Sequence, residues 1–156
     1  MNKFFQSGQE YLRGLFLSIQ ESKKDIYFCA YAVAFSKQAP ALNVWQVLEE
    51  LVYARKRGVQ VFGVFNQNIN LPQVEACTKQ AFSFLQDGGC EVFWFPKNRI
   101  LHSKIFVIDN YQVFIGSQNL TEASKGINIE SSVLIEDSEL AGRAKNWIAL
   151  LSSILE

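Results

Sequence analysis

An α/β sandwich, with a mixed β-sheet between layers of helices, is the fold class this sequence predicts. Three observations carry it. Strands of the buried type alternate with amphipathic helical stretches, two strands then follow each other closely, and a last amphipathic helix closes the pattern. The 156 residues fit one domain, 1–156, and 49% hydrophobic residues, including 13 Phe, 5 Tyr and 3 Trp, suffice to fill a sizeable core. No linker, low-complexity tract or internal repeat interrupts the chain.

Segment 4–20 sets Tyr11, Leu12, Leu15, Phe16 and Ile19 on one helical stripe, which predicts a first amphipathic helix. DIYFCAYAVAF (25–35) is almost wholly apolar, the pattern of a strand buried on both faces. A second helix is predicted over 43–58, with Val44, Val47, Leu48, Leu51 and Val52 on one side and a Lys-Arg-Gly ending suited to a helix C-terminus. VQVFGVFN (59–66) is a second buried strand. The third helix spans 72–87 and stops at Gly88 and Gly89, after which 90–95 forms a strand that Pro96 breaks. Strands over 102–109, 112–116 and 130–135 follow. The final helix, 138–155, carries Leu140, Ala144, Trp147, Leu151 and Ile154.

Composition narrows the function classes. Lys+Arg 15 against Asp+Glu 15 leaves no net charge, so no global field draws the chain to nucleic acid or an anionic membrane. Any such binding must come from a local patch. Cys29, Cys77 and Cys90 are odd in number and lack C-x-x-C spacing, which predicts packing residues in a reducing compartment. Gln6, Gln9, Glu10 and Arg13 interrupt the apolar residues of the start before a signal-type core forms. No apolar run approaches the roughly 20 residues of a membrane span. A soluble cytoplasmic protein without a membrane span is the expectation.

Chemistry concentrates in LHSKIFVIDNYQVFIGSQN (101–119), which holds the single histidine. Along a strand His102 and Lys104 project from one face, about 6.6 Å apart at roughly 3.3 Å per residue. A two-residue turn at Asn110-Tyr111 would pair Asp109 with Gln112, and antiparallel register then sets Lys104 opposite Ser117 and His102 opposite Asn119. Gly116 permits close backbone approach beside them. An imidazole, an ammonium, a hydroxyl and a carboxamide would converge without a carboxylate, a set suited to holding a phosphate. Asp109 lies about 23 Å along the strand from His102 and on the other face, so its expected role is to cap the turn or pair with a basic residue at the far rim.

These residues spell H-x-K-x4-D-x6-G-S-x-N without gaps, as His102, Lys104, Asp109, Gly116, Ser117 and Asn119. With six positions at about 1 in 20 each, a chance match at one start is on the order of one in 10⁷ to 10⁸. The pattern resembles the signature of the phospholipase D superfamily. YARKRGVQVFGVF with the helix, Gly-Gly break and strand after it, together with NIESSVLIED and the Trp-containing last helix, looks like the compact single-motif bacterial endonucleases of that superfamily, over roughly residues 10–155. Asn66 departs from the pattern, since the resemblance implies an acid there; the expected consequence is limited to a peripheral contact.

The resemblance implies phosphodiester cleavage through a covalent phosphohistidine, with no metal and no cofactor. One histidine attacks phosphorus and a second, protonated, donates to the leaving oxygen, while lysines and asparagines hold the phosphoryl oxygens. This chain supplies one histidine, so the implied assembly is a homodimer whose two-fold interface brings both copies of His102, Lys104, Ser117 and Asn119 to one site. Glu130 matches the position where the family places an acid against the motif histidine, implying that it fixes the tautomer and stabilises the imidazolium. Residues 92–108 contain Lys97, Arg99, His102 and Lys104 and no acid, a local basic rim able to receive a polyanionic backbone. Phe93, Trp94 and Phe95 are expected in the core rather than as a base-stacking platform, with Trp94 facing away from its neighbours.

The leading expectation is a metal-independent, homodimeric nuclease acting on DNA or RNA. A lipid phosphodiesterase of the phospholipase D or cardiolipin type is the second reading, motivated by the same motif and by Phe4, Phe5, Leu15 and Phe16 of the apolar first helix. A non-catalytic nucleic-acid-binding module is the third.

Overall fold

In the computed structural model, which describes residues 1–154, the apolar stretches form the elements that their periodicity implies, with local exceptions at turns and edges. In chain order these are β1 (Lys3–Phe5), α1 (Gly8–Glu21), β2 (Asp25–Ala30), β3 (Val33–Ala34), α2 (Val44–Lys56), β4 (Gln60–Phe65) and α3 (Pro72–Asp87). There follow β5 (Glu91–Trp94), β6 (Ile105–Ile108), β7 (Gln112–Gly116), β8 (Leu120–Thr121), α4 (Glu122–Gly126), β9 (Ser132–Glu136) and α5 (Ser138–Leu151). Seven strands make one sheet in the order β1-β9-β7-β6-β2-β4-β5, and β3 and β8 form a separate short pair. β2, β4 and β5 run parallel, whereas β2–β6, β6–β7, β7–β9 and β9–β1 are antiparallel. The mixed sheet between helices is thus the predicted class.

Side-chain alternation along β2 divides the core in two. Ile26, Phe28 and Ala30 face one side, where Leu12, Leu15 and Ile19 of α1, Leu48 and Leu51 of α2, and Phe82 and Leu85 of α3 cover the sheet. Tyr27 and Cys29 face the other, against Ala141, Ile148 and Leu151 of α5. Trp94 joins the first side by stacking on Phe82, ring centroids 4.1 Å apart, while Phe95 is buried on the second. Phe93 lies against Phe62 and stays partly exposed. Among the described residues no helix is long and apolar enough to cross a membrane.

Three departures from the predicted elements have local causes. The stretch read as one helix from residue 4 is split, because Ser7 caps the helix by accepting from the Glu10 amide at 3.2 Å, and residues 3–5 pair with β9 instead. Phe5 is thereby buried between Tyr11 and Phe114. The strand predicted over 25–35 ends at Ala30, since Val33 turns away to pair with Leu120 and hydrogen-bonds the Thr78 hydroxyl. Helix α4 and the short β3–β8 pair were not foreseen, and α5 ends at Leu151, with residue 155 of the predicted helix outside the described residues.

The hairpin register differs by one residue from the expected one. Ile108, not Asp109, pairs with Gln112, so the turn has three residues, and Asp109 and Asn110 both take left-handed backbone conformations at φ 54° and 52°. The reason is that Asp109 leaves the ladder to serve as a cap. Its carboxylate accepts from the amides of Lys23 at 2.9 Å, Lys24 at 2.7 Å and Asp25 at 3.2 Å, and its own amide donates to the Asp25 carbonyl at 2.8 Å. The capping role expected from the sequence holds, with backbone amides as partners rather than a basic side chain. Asp109→Ala removes the acceptor of three amides and leaves alanine at positive φ, so unfolding in urea should show a stability loss of about 2–4 kcal/mol with an unchanged m-value. A loss below about 1 kcal/mol would contradict the cap.

Candidate active site

The segment from Leu101 to Lys104 is extended but unpaired and leads directly into β6, so His102 and Lys104 stand beyond the end of the ladder, where it meets solvent. Two contacts hold this segment from behind. Asn66, fully buried after β4, accepts from the Leu101 amide at 3.1 Å, while its own amide donates to the Ala30 carbonyl at 2.9 Å and its carboxamide nitrogen to the Tyr31 and Asn68 carbonyls. The Tyr31 ring lies against His102, with centroids 4.6 Å apart, and also beneath the Lys104 ammonium, 4.8 Å from Nζ. Sequence reasoning missed Tyr31, which nothing in its apolar run distinguishes, and rated Asn66 peripheral. The position corrects that rating, because Asn66 ties the ends of β2 and β4 to the histidine segment.

His102 is exposed and Lys104 is 9% exposed. The Lys104 ammonium lies 3.1 Å from His102 Nδ1 and 3.4 Å from Nε2, and it donates to the His102 carbonyl. The ammonium therefore sits against the imidazole ring, close to both of its nitrogens. Burial lowers the Lys104 pKa below the ordinary lysine value, and the Glu130 carboxylate opposes that shift. Behind it, burial pushes the Cys29 thiol up to about 12, which marks this cysteine as a packing residue rather than a thiolate.

Ser117 follows β7. Its amide donates to the Ser131 carbonyl at 2.9 Å, its hydroxyl accepts from the Ser131 amide at 3.0 Å, and the same hydroxyl donates to Glu130. Gly116 makes this close approach possible, because a Cβ there would stand 2.3 Å from the Ser131 carbonyl oxygen. Gln118 turns inward and donates to the Ser124 carbonyl at 2.8 Å. His102, Ser103, Lys104, Ile105, Ile115, Gly116 and Ser117 line one open cleft of about 410 Å³.

The expected convergence is therefore met in part. His102, Lys104 and Ser117 share the cleft, but the one-residue register change puts the Lys104 position across from Gly116. Asn119 lines an adjoining cavity with Tyr31, and it borders a small void that Lys104 and Cys29 also line. Its Oδ1 is buried without a hydrogen-bond partner among the described residues. Glu130 does not reach His102 within the chain. Its carboxylate is taken up by Ser117 and by the Asn128 carboxamide at 3.2 Å, because the strand pairing at Gly116–Ser132 brings residue 130 alongside Ser117. Lys97 and Arg99 are exposed on the loop before His102, outside the residues that line the cleft.

Comparison with known proteins bears on this constellation. The sequence model of the family described as cardiolipin synthase, PLD-like domain, matches residues 15–151. The chain belongs to the phospholipase D superfamily. Cardiolipin synthase B of Escherichia coli is 30% identical over 93 residues, covering 60% of this chain and 22% of that protein. A phospholipase D of Rickettsia bellii is 33% identical over 135 residues, covering 84% of this chain and 59% of that one. The chain thus spans less than two thirds of the length of these curated relatives. The fold of this superfamily member superposes on the phospholipase D family member Nuc from Salmonella typhimurium with a TM-score of 0.78 at 24% identity, covering 97% of this chain and 94% of that one. NucT from Helicobacter pylori gives 0.75 at 18% identity, with the same coverage.

The electrostatics of Lys104 generate a stability prediction with a definite sign. Its charged form is the one burial penalises, so the penalty is present at neutral pH and is relieved as pH rises through the lowered pKa. Lys104→Met should leave Tm unchanged or raise it by up to about 3 °C at neutral pH. Any Tm advantage should shrink as pH is raised toward the ordinary lysine value. A Tm drop of several degrees would show that the ammonium is a structural tie instead.

Proposed function

We propose that this protein is a metal-independent phosphodiesterase that cuts nucleic-acid strands at a site shared by two copies of the chain. The observation that carries the reading is an exposed imidazole beside a buried ammonium, in a cleft that holds the chain's single histidine. Ile115 at the cleft is 39% exposed, and Ile127 and Ile129, on the loop that carries Glu130, are 82% and 100% exposed. Bare isoleucines around an incomplete site fit an isologous contact, which would cover them and bring a second His102 to the same phosphorus.

In this mechanism the unprotonated nitrogen of one His102 attacks phosphorus, the bond to the leaving oxygen breaks, and His102 of the partner subunit gives that oxygen its proton. Water then adds to the phosphohistidine. The partner imidazole takes the water's proton, the phosphorus–nitrogen bond breaks, and both rings return to their starting states. Lys104 and Asn119 hold the nonbridging oxygens. Ser117 holds the Glu130 carboxylate beside the cleft, and Asp109 and Gly116 are structural. No step needs a cofactor.

Nucleic acid is favoured by the exposed Lys97 and Arg99 on the loop entering the site, a local basic rim on a chain of zero net charge. A second reading, lipid phosphodiester cleavage, draws on the cardiolipin synthase and phospholipase D names of the relatives. We read the protein as cytoplasmic, in keeping with Cys29, Cys77 and Cys90 all being free thiols.

The deciding measurement incubates the protein in EDTA with oligonucleotides, with cardiolipin or phosphatidylcholine vesicles, and with bis(p-nitrophenyl) phosphate. Oligonucleotides should be cut and vesicles spared, and His102→Ala should lower every rate by about 10³-fold or more. Loss of wild-type activity in EDTA would refute the metal-free mechanism, and vesicle turnover without strand cleavage would favour the lipid reading. Light scattering should return twice the chain mass. A strict monomer would remove the second imidazole and with it the mechanism.

A further inference from the structure

Next to the catalytic cluster lies a second concavity, whose lining, apart from Asn119, has no part in the proposed chemistry. It measures about 420 Å³, within the range of small-ligand sites, and it shares Tyr31 and Asn119 with the cluster. Tyr31 and Phe35 give it aromatic surface, Leu71 gives it an aliphatic wall, and Asn70 and Asn119 give it carboxamide edges. Leu71 is 64% exposed, so the cavity is open at its mouth.

We infer that this cavity holds one unstacked nucleobase of the strand being cut, and that the substrate is therefore single-stranded. The inference rests on the nuclease reading above and names the form of its substrate. Three features select a base over an acyl chain, the other apolar group that a phosphodiester substrate could carry. Aromatic side chains at Tyr31 and Phe35 offer faces on which any base can stack, independent of sequence. The Asn70 carboxamide offers hydrogen-bonding groups that hydrocarbon would leave unmet, whereas a base edge carries both donors and acceptors. The cavity also adjoins the phosphorus site through Tyr31, whose ring contacts His102, so a base bound there belongs to a nucleotide at the cleavage point. A base paired inside a duplex cannot enter such a cavity without leaving its stack, at a cost that a single strand does not bear.

The experiment uses the full chain in EDTA with three labelled DNA substrates of one length: a single strand, its duplex, and a single strand in which tetrahydrofuran spacers replace the bases around one phosphate. The intact single strand should be cut about tenfold faster than the duplex and about tenfold faster than the spacer strand at that phosphate, the worth of one stacked base. Ala123→Trp, which fills the cavity from an exposed position on α4, should reduce the ratio of intact to spacer cutting to about one. Equal cutting of intact and spacer strands by the wild-type protein would overturn the subsite while the nuclease reading stands, and that comparison needs no variant to fold. Hydrolysis of bis(p-nitrophenyl) phosphate with no cutting of any DNA would remove the nuclease reading itself. Turnover of cardiolipin vesicles that Ala123→Trp slows would assign the cavity to an acyl chain and overturn the base.

Discussion

One segment, Leu101–Asp109, with strand β6 at its centre, is pinned at both ends by side chains that accept hydrogen bonds from backbone amides, and the rest of the site depends on it. At one end Asn66 takes the Leu101 amide, and at the other Asp109 takes the amides of residues 23–25. Between them β6 pairs with β2 on one side and β7 on the other, and its four residues are buried. Such a strand cannot slide, because a one-residue slip would reverse which side chains face which core. His102 and Lys104 inherit that rigidity although they lie past the last paired residue. Precise placement is what a displacement at phosphorus requires, since small misplacements of a nucleophile are costly in rate.

The same anchoring explains how an ammonium can sit against the core without a direct carboxylate partner. Lys104 is largely withdrawn from water, over the Tyr31 ring and beside the His102 carbonyl, and its described ion-pair distance to any acid exceeds a salt bridge. Glu130, the acid that acts on it electrostatically, has its oxygens occupied by Ser117 and Asn128. A full neutralising contact would leave Lys104 little attraction for a phosphoryl oxygen. A partly desolvated cation is a stronger electrostatic partner for an incoming anion, because the low-dielectric wall screens it less. The lowered pKa of Lys104 and the phosphate-holding role proposed for it thus rest on one placement.

The sequence exposed most of this through period and spacing. Buried strands, the helix over 72–87 and the cluster of His102, Lys104 and Ser117 all follow from alternation, glycine stops and motif spacing. The errors came where a side chain competes with the backbone. Asp109 abandons the ladder to cap another loop, which lengthens the hairpin turn and moves Asn119 away from the position opposite His102. Ser7 does the same at the start of α1. Tyr31 and Asn66 were illegible as site residues because their roles arise from contacts 71 and 35 positions along the chain, with Tyr31 meeting His102 and Asn66 meeting Leu101. No local pattern encodes contacts of that range.

In the proposed two-copy site, symmetry accounts for the bare isoleucines beside the cleft. In a two-fold contact every residue near the axis meets its own copy, so a charged residue there would face like charge. Apolar residues such as Ile115 and Ile129 escape that penalty and gain from burial. Residues whose doubling is useful, an imidazole that must be neutral in one copy and protonated in the other, belong beside them. Under the proposed mechanism, an exposed imidazole, a buried cation and an apolar margin form half of a site that a second copy completes.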